Sequence, residues 1–159
     1  MAQFIDAADL SRFLGIPGTG AQDDELDRVA DSACELVEQW VGPVTPRTIT
    51  ETLSAGQVVR HIPVMSTTST THTVDSLTGL VSSTTGAGAV SITYTAGYAS
   101  PPNWATTAAL IIGQHLWRTR RGAGGQRGVS DDAQIVGVGY AIPNQAAAIL
   151  EPHRRIGFV

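Results

Sequence analysis

Residues 89–122, AVSITYTAGYASPPNWATTAALIIGQHLWRTRRG, constrain the fold more than any other stretch of the chain. Val90, Ile92 and Tyr94 alternate with Ser91, Thr93 and Thr95, the period-two pattern of a half-buried strand over Ala89–Thr95. Gly97 permits a turn that a residue with a Cβ would resist. Ser100 is placed to cap, and Pro101 and Pro102 suit the first turn of a helix, where a missing N–H costs little. Asn103 to Arg118 is apolar on most sides, and Arg118, Arg120 and Arg121 then meet the negative end of the helix dipole before Gly122 stops it. A helix with so little polar surface must be covered by its own domain or by neighbouring subunits.

Upstream, Asp6 reads as the N-cap of a short helix from Ala7 to Leu14, ended by Gly15 and Pro17, with Phe4 or Ile5 stapled against Leu10. A longer helix is predicted over Asp23–Val41. Leu26, Val29, Ala30, Ala33, Val37, Trp40 and Val41 recur at spacings of three and four, while Asp23, Asp24, Glu25 and Asp27 crowd its positive end. From Val44 to Tyr94 the composition shifts to Thr, Ser and Val. Strands are expected over Ile49–Leu53, Val58–Val64 and Thr70–Leu77, in addition to Ala89–Thr95, with Gly56, Gly79, Gly86 and Gly88 marking turns. Thr67–Thr73 is polar on both faces, so its register is weakly specified and an exposed hairpin or arm is expected there. Arg121–Asp132 reads as a flexible loop, Gln134–Ile142 as a short strand, and Pro143 as the opening of a mini-helix through Ala146, Ile149 and Leu150 that closes before Pro152. The expected class is α+β: a small helical bundle of two main helices plus short helices, with a small antiparallel sheet or long β-hairpin. Residues 1–151 would form one domain and 152–159 an extended C-terminal arm.

In order and character this chain resembles the head-tail connector (adaptor) proteins of long-tailed bacteriophages. Three stretches carry the likeness: the TYTAGY…PP strand, turn and helix; the short DAADLSRFLGIPG helix ahead of the acidic DDELDRVADSACELVEQWVG helix; and the ending YAIPNQAAAILEPHRRIGFV. The resemblance implies a structural virion protein at the head-tail interface, assembled in the host cytoplasm. It would form a homo-oligomeric ring of about a dozen copies on the portal protein, extend the DNA channel and dock a tail-completion or stopper protein. A tail-terminator or tail-tube-like subunit is the alternative. Such subunits are β-dominated with one helix, so two long helices would favour the adaptor.

The bulk properties fit a surface partly hidden in an assembly. Charged residues make up only 15%, and Gly is high at 17. The net charge of −4 argues against a dedicated nucleic-acid binder, and DNA would pass an acidic ring without sequence-specific contact. All ten basic residues are arginines, which suit protein interfaces. One cysteine allows no internal disulfide. No leader is visible, and the longest apolar stretch, Ala105–Trp117, is too short to span a bilayer, so a soluble chain without membrane contact is expected.

No catalytic constellation emerges, and neither an enzyme nor a cofactor is expected. Cys34 sits beside Asp31, Glu35 and Glu38, where a thiol is not activated. His61, His72, His115 and His153 lack metal-ligand spacing. The Asp23–Asp24 and Asp131–Asp132 pairs read as helix-end and loop charges. Gly122–Gly128 and Gly15–Gly20 lack the strand and the Lys-Ser/Thr ending of a phosphate loop. The candidate site residues are therefore interfacial. His153, Arg154 and Arg155 followed by Ile156 and Phe158 suit docking into a partner, the portal or a neighbouring subunit. Trp104, Ile111, His115 and Arg118 are the candidate ring interface.

Overall fold

The structure, a computed structural model, describes residues 3–16, 20, 22–84, 86, 88–120 and 142–154. The expected loop over Arg121–Asp132 with its Asp131–Asp132 pair, the helix stop at Gly122 and the strand over Gln134–Ile142 lie outside the described residues, apart from Ile142, as do Arg155, Ile156 and Phe158. The chain divides into two compact units. One holds Gln3–Val37 and Asn103–His153; the other holds Glu38–Pro102 and Arg154.

The first unit is helical. Helix α1 spans Ala7–Leu14, as the capping signals predict. The Asp6 carboxylate accepts from the Asp9 N–H at 2.7 Å, and Asp9 returns the contact to the Asp6 N–H. At the other end Gly15 adopts φ +67°, the left-handed conformation that favours glycine. Helix α2 spans Asp23–Val41, with three carboxylates in its first turn. Its stripe of Leu26, Val29, Ala30, Ala33 and Val37 is buried, and so is Cys34. Helix α3 spans Asn103–Arg120 and runs past the expected end at Arg118. It begins after Pro101 and Pro102, so the two prolines precede the first turn instead of occupying it. Ala105, Ala108, Ala109, Ile112 and Trp117 are buried, whereas Leu116 is half-buried.

Small residues let these helices approach closely. A Cβ added to Gly113 of α3 would lie 2.9 Å from a Leu10 methyl of α1 and 3.8 Å from the Ala33 Cβ of α2. Helix α4, Asn144–Leu150, packs on α3 and buries Ala146 and Leu150. Pro152 does not stop the chain there: Glu151–His153 continue as one turn of 3-10 helix.

The second unit is built on strands. β1 (Arg47–Leu53), β2 (Val64–Thr68) and β5 (Val90–Ala96) form an antiparallel sheet in the order β1-β5-β2. β3 (His72–Val74) and β4 (Val81–Ser83) form a separate two-stranded ribbon. Register aligns Arg47 with Ala96 and Leu53 with Val90. One face of the larger sheet joins a core of Val59, Val64, Val81, Ile92, Tyr94 and Ala96. The other presents Thr48, Thr50 and Thr52 of β1, Ser91, Thr93 and Thr95 of β5, and Ser66 and Thr68 of β2. It is a face of hydroxyls in which Thr50 and Thr93 hydrogen-bond at 2.9 Å.

Three strand expectations are corrected. Residues 58–63 make only an isolated bridge, Val58 to Leu80, and β2 begins at Val64. Side chains take the backbone groups that a ladder would use. The Glu51 carboxylate accepts from the Arg60 N–H and the Tyr94 hydroxyl, and the Tyr94 oxygen accepts from the His61 N–H. Pro63 has no N–H to give. The strand expected over Thr70–Leu77 is only three residues long, because Asp75 turns the chain. The Thr67–Thr73 tract is not a free arm: Thr67 and Thr68 end β2, His72 and Thr73 open the β3–β4 hairpin, and His72 is buried at 1% exposure. β4 is a further strand, in a stretch where the sequence pattern predicts none.

Gly97, at the exit of β5, is held as glycine by the backbone itself. Its φ is +121°, and a Cβ there would run into the Thr45 carbonyl, a backbone group that cannot rotate away. Gly97→Ala is expected to lower unfolding free energy by about 2–4 kcal/mol through clash and backbone strain, read as a drop in the thermal midpoint.

Candidate functional site

On a helix, residues separated by three, four and seven share a face. Trp104, Ile111, His115 and Arg118 obey that spacing along α3. Trp104, Ile111 and His115 are half-buried and Arg118 is exposed, so the four form a band beside the buried face of the helix. Trp104 is already partly covered from within. The His153 imidazole of the 3-10 turn stacks on it, with ring centroids 4.0 Å apart and planes 10° from parallel. Two residues assigned from sequence to different surfaces, the C-terminal tail and the helix face, thus form one aromatic pair in the helical unit. In the other unit, Arg154 holds its guanidinium 5.1 Å from the centre of the Trp40 ring, a cation–π arrangement.

The surface of α2 is acidic. A groove of about 310 Å³ is lined by Arg28, Asp31, Ser32 and Glu35. A second, of about 520 Å³, is lined by Asp6, Ala7, Ala8, Ser11, Arg12, Asp23 and Asp27. Both are open, and their carboxylates repel phosphate. Among the described residues no three His, Cys, Asp or Glu side chains come together to hold a metal ion, and no helix is long and apolar enough to cross a membrane. His72 is buried in β3 with its Nδ1 3.0 Å from the Thr71 hydroxyl. Cys34 is buried in α2.

Gly79 marks a turn in the sequence, but the sequence reading missed how the turn between β3 and β4 is built. There the Asp75 Oδ1 accepts from the Leu77 N–H at 3.1 Å and from the N–H and hydroxyl of Thr78, both at 2.7 Å. The main chain closes the loop through Gly79 N–H to the Asp75 carbonyl and Asp75 N–H to the Leu80 carbonyl. Leu77 is left 76% exposed at the tip. The signal was present in D-S-L-T-G: an aspartate followed three residues later by threonine and then glycine marks a side-chain-capped turn rather than the end of a strand.

The fold is α+β, with helices α1–α4 and small antiparallel sheets among the described residues. No protein-family model matches the chain. No curated protein matches it either. Among solved structures its fold is similar to that of a chain from the neck of an empty gene transfer agent (GTA) particle, a structure computed with C6 symmetry. The TM-score is 0.64 over 100% of this chain and 95% of that one, at 18% identity.

Two outcomes follow from this geometry. The hydrogen bonds from the Thr78 N–H, the Thr78 hydroxyl and the Leu77 N–H hold the Asp75 carboxyl below its ordinary value of 3.8. A depressed folded-state pKa gives stability that is present above the unfolded value and lost as pH falls through the folded one. Amide exchange at Leu77 and Thr78 should therefore quicken below about pH 3.8 beyond its intrinsic pH dependence, and Asp75→Asn should remove that step. Separately, His153→Ala should lower stability by about 0.5–1.5 kcal/mol through loss of the stack on Trp104, measured by denaturant unfolding.

Proposed function

We propose that this chain is a structural subunit of a phage-like particle's neck, a head-tail connector of the adaptor type. The observation that carries the reading is the fold likeness, over essentially the whole of both chains, to a chain from the neck of a GTA particle. Two helices of 19 and 18 residues favour the adaptor over a tail-terminator or tail-tube-like subunit, which would be β-dominated. Its work is assembly and not catalysis.

In this reading the subunits close into a ring on the portal, with about a dozen copies. That number is a multiple of six, in keeping with a neck computed with C6 symmetry. The band of Trp104, Ile111, His115 and Arg118 on α3 is the proposed lateral contact. His153, Arg154, Arg155, Ile156 and Phe158 are the proposed attachment to the portal or to a neighbouring subunit. A stopper or other tail-completion protein would dock below, and DNA would pass through a net-acidic ring that repels its backbone.

The test is direct. The full chain, alone and mixed with the portal oligomer of its own particle, is examined by native mass spectrometry and negative-stain microscopy. Rings of six or a multiple of six copies are expected in at least one condition. Removal of residues 155–159 should leave a folded chain that no longer attaches to the portal. A chain that stays monomeric in both conditions would refute the reading.

A further inference from the structure

Large apolar side chains left in water mark contact surfaces when they cluster. Among the described residues, those that stand exposed are Phe13 in the helical unit and Val58, Met65, Leu77 and Leu80 in the sheet unit. The last four gather around the 75–80 turn. Val58 bridges Leu80, the Val59 N–H bonds the Gly79 carbonyl, and the Val64 N–H, next to Met65, bonds the Ser76 carbonyl at 2.9 Å. The turn is held in shape by Asp75, whose Oδ1 accepts from three donors. Leu77 therefore projects on a backbone that has little ordering left to lose on contact, which favours association.

The chemistry around this knob limits its partner. Between Arg60 and Arg118 the only Asp, Glu, Lys or Arg is Asp75. Arg60, two residues from Val58, is a single cation and gives a nucleic-acid backbone or an anionic lipid little to hold. It suits a largely apolar protein surface. Its size matters too. Four side chains, none fully exposed, make a patch of at most a few hundred Å², the size of functional patches but short of the roughly 800 Å² that each partner of a stable pair buries. A contact of that size does not hold two molecules on its own. It holds when every molecule makes it twice, once with each neighbour, around a closed ring. A closing ring also requires two different surfaces on each copy. The α3 band is one, and the knob is the other.

We infer that the 75–80 turn, with Leu77 at its tip and Val58, Met65 and Leu80 around it, seats on a second copy of this chain. The inference rests on the ring reading above.

The experiment uses the full chain in whichever condition the wild type assembles, alone or with portal. A photo-cross-linking residue replaces Leu77, and Leu77→Ser with Leu80→Ser is compared with wild type. Cross-linked peptides should join two copies of the chain. The double variant should require at least about tenfold more protein for half-assembly, with an unchanged thermal midpoint for the monomer because both side chains lie at the surface. Leu77→Lys, which keeps Leu80, serves as a second variant and should show the same loss. If wild-type rings form and the variants assemble at the wild-type concentration, the knob is refuted and the ring stands. Cross-links confined to one copy, or formed only with a different protein, refute it equally. If the wild type assembles in neither condition, the ring reading falls and the knob with it.

Discussion

The Glu38 carboxylate is the contact on which the sheet unit hangs. It lies in the last turn of α2, where the helix dipole opposes a negative charge, and its side chain is only 7% exposed. Four donors offset that cost: the N–H groups of Val44 and Thr45, the Thr45 hydroxyl, and the Arg47 guanidinium at 2.6 Å. Beyond the Gly42-Pro43 stop, this one side chain shapes the buried turn through Val44 and Thr45 and delivers Arg47 as the first residue of β1. Everything after follows from where β1 starts. The Tyr98 N–H returns to the Val44 carbonyl, Gly97 lies against Thr45, and the pairing of Arg47 with Ala96 sets the register of the sheet.

The inner face of that sheet is settled by a second carboxylate. Glu51 points inward between Ile49 and Leu53, a place where an unpaired charge would be costly. It is satisfied by the Tyr94 hydroxyl and the Arg60 N–H. The residues that would otherwise have made a strand over 58–63 are held by side chains instead. In both places the backbone is bent by a side-chain acceptor, which is why this unit has short strands and two small sheets instead of one long hairpin.

That difference also explains what was legible beforehand. Helices α1 and α2 could be read to the residue, because their ends are written locally: Asp6 and Gly15 for one, the acidic first turn and Gly42-Pro43 for the other. β5 was legible from the alternation of Val90, Ile92 and Tyr94. The ends of β2 and β3 and the existence of β4 were not, because Glu51, Tyr94 and Asp75 act across gaps that periodicity does not see. For the candidate site, the spacing of Trp104, Ile111, His115 and Arg118 was plain in the sequence. The stack of His153 on Trp104 was not, since nothing local links positions 49 residues apart.

The hydroxyl face of the larger sheet has a consequence for how such a protein answers to its surroundings. Thr48, Thr50, Thr52, Ser66, Thr68, Ser91, Thr93 and Thr95 keep this surface wetted without a single formal charge. Contacts made through it are therefore nearly blind to ionic strength. The carboxylate-rich surface of α2, carrying Asp24, Glu25, Asp27, Asp31 and Glu35, responds strongly, since mobile ions screen it within about 10 Å at 0.1 M salt. One polypeptide thus carries two surfaces tuned to different solvent variables. A change of salt can loosen what the acidic helix touches while leaving undisturbed whatever rests on the threonines.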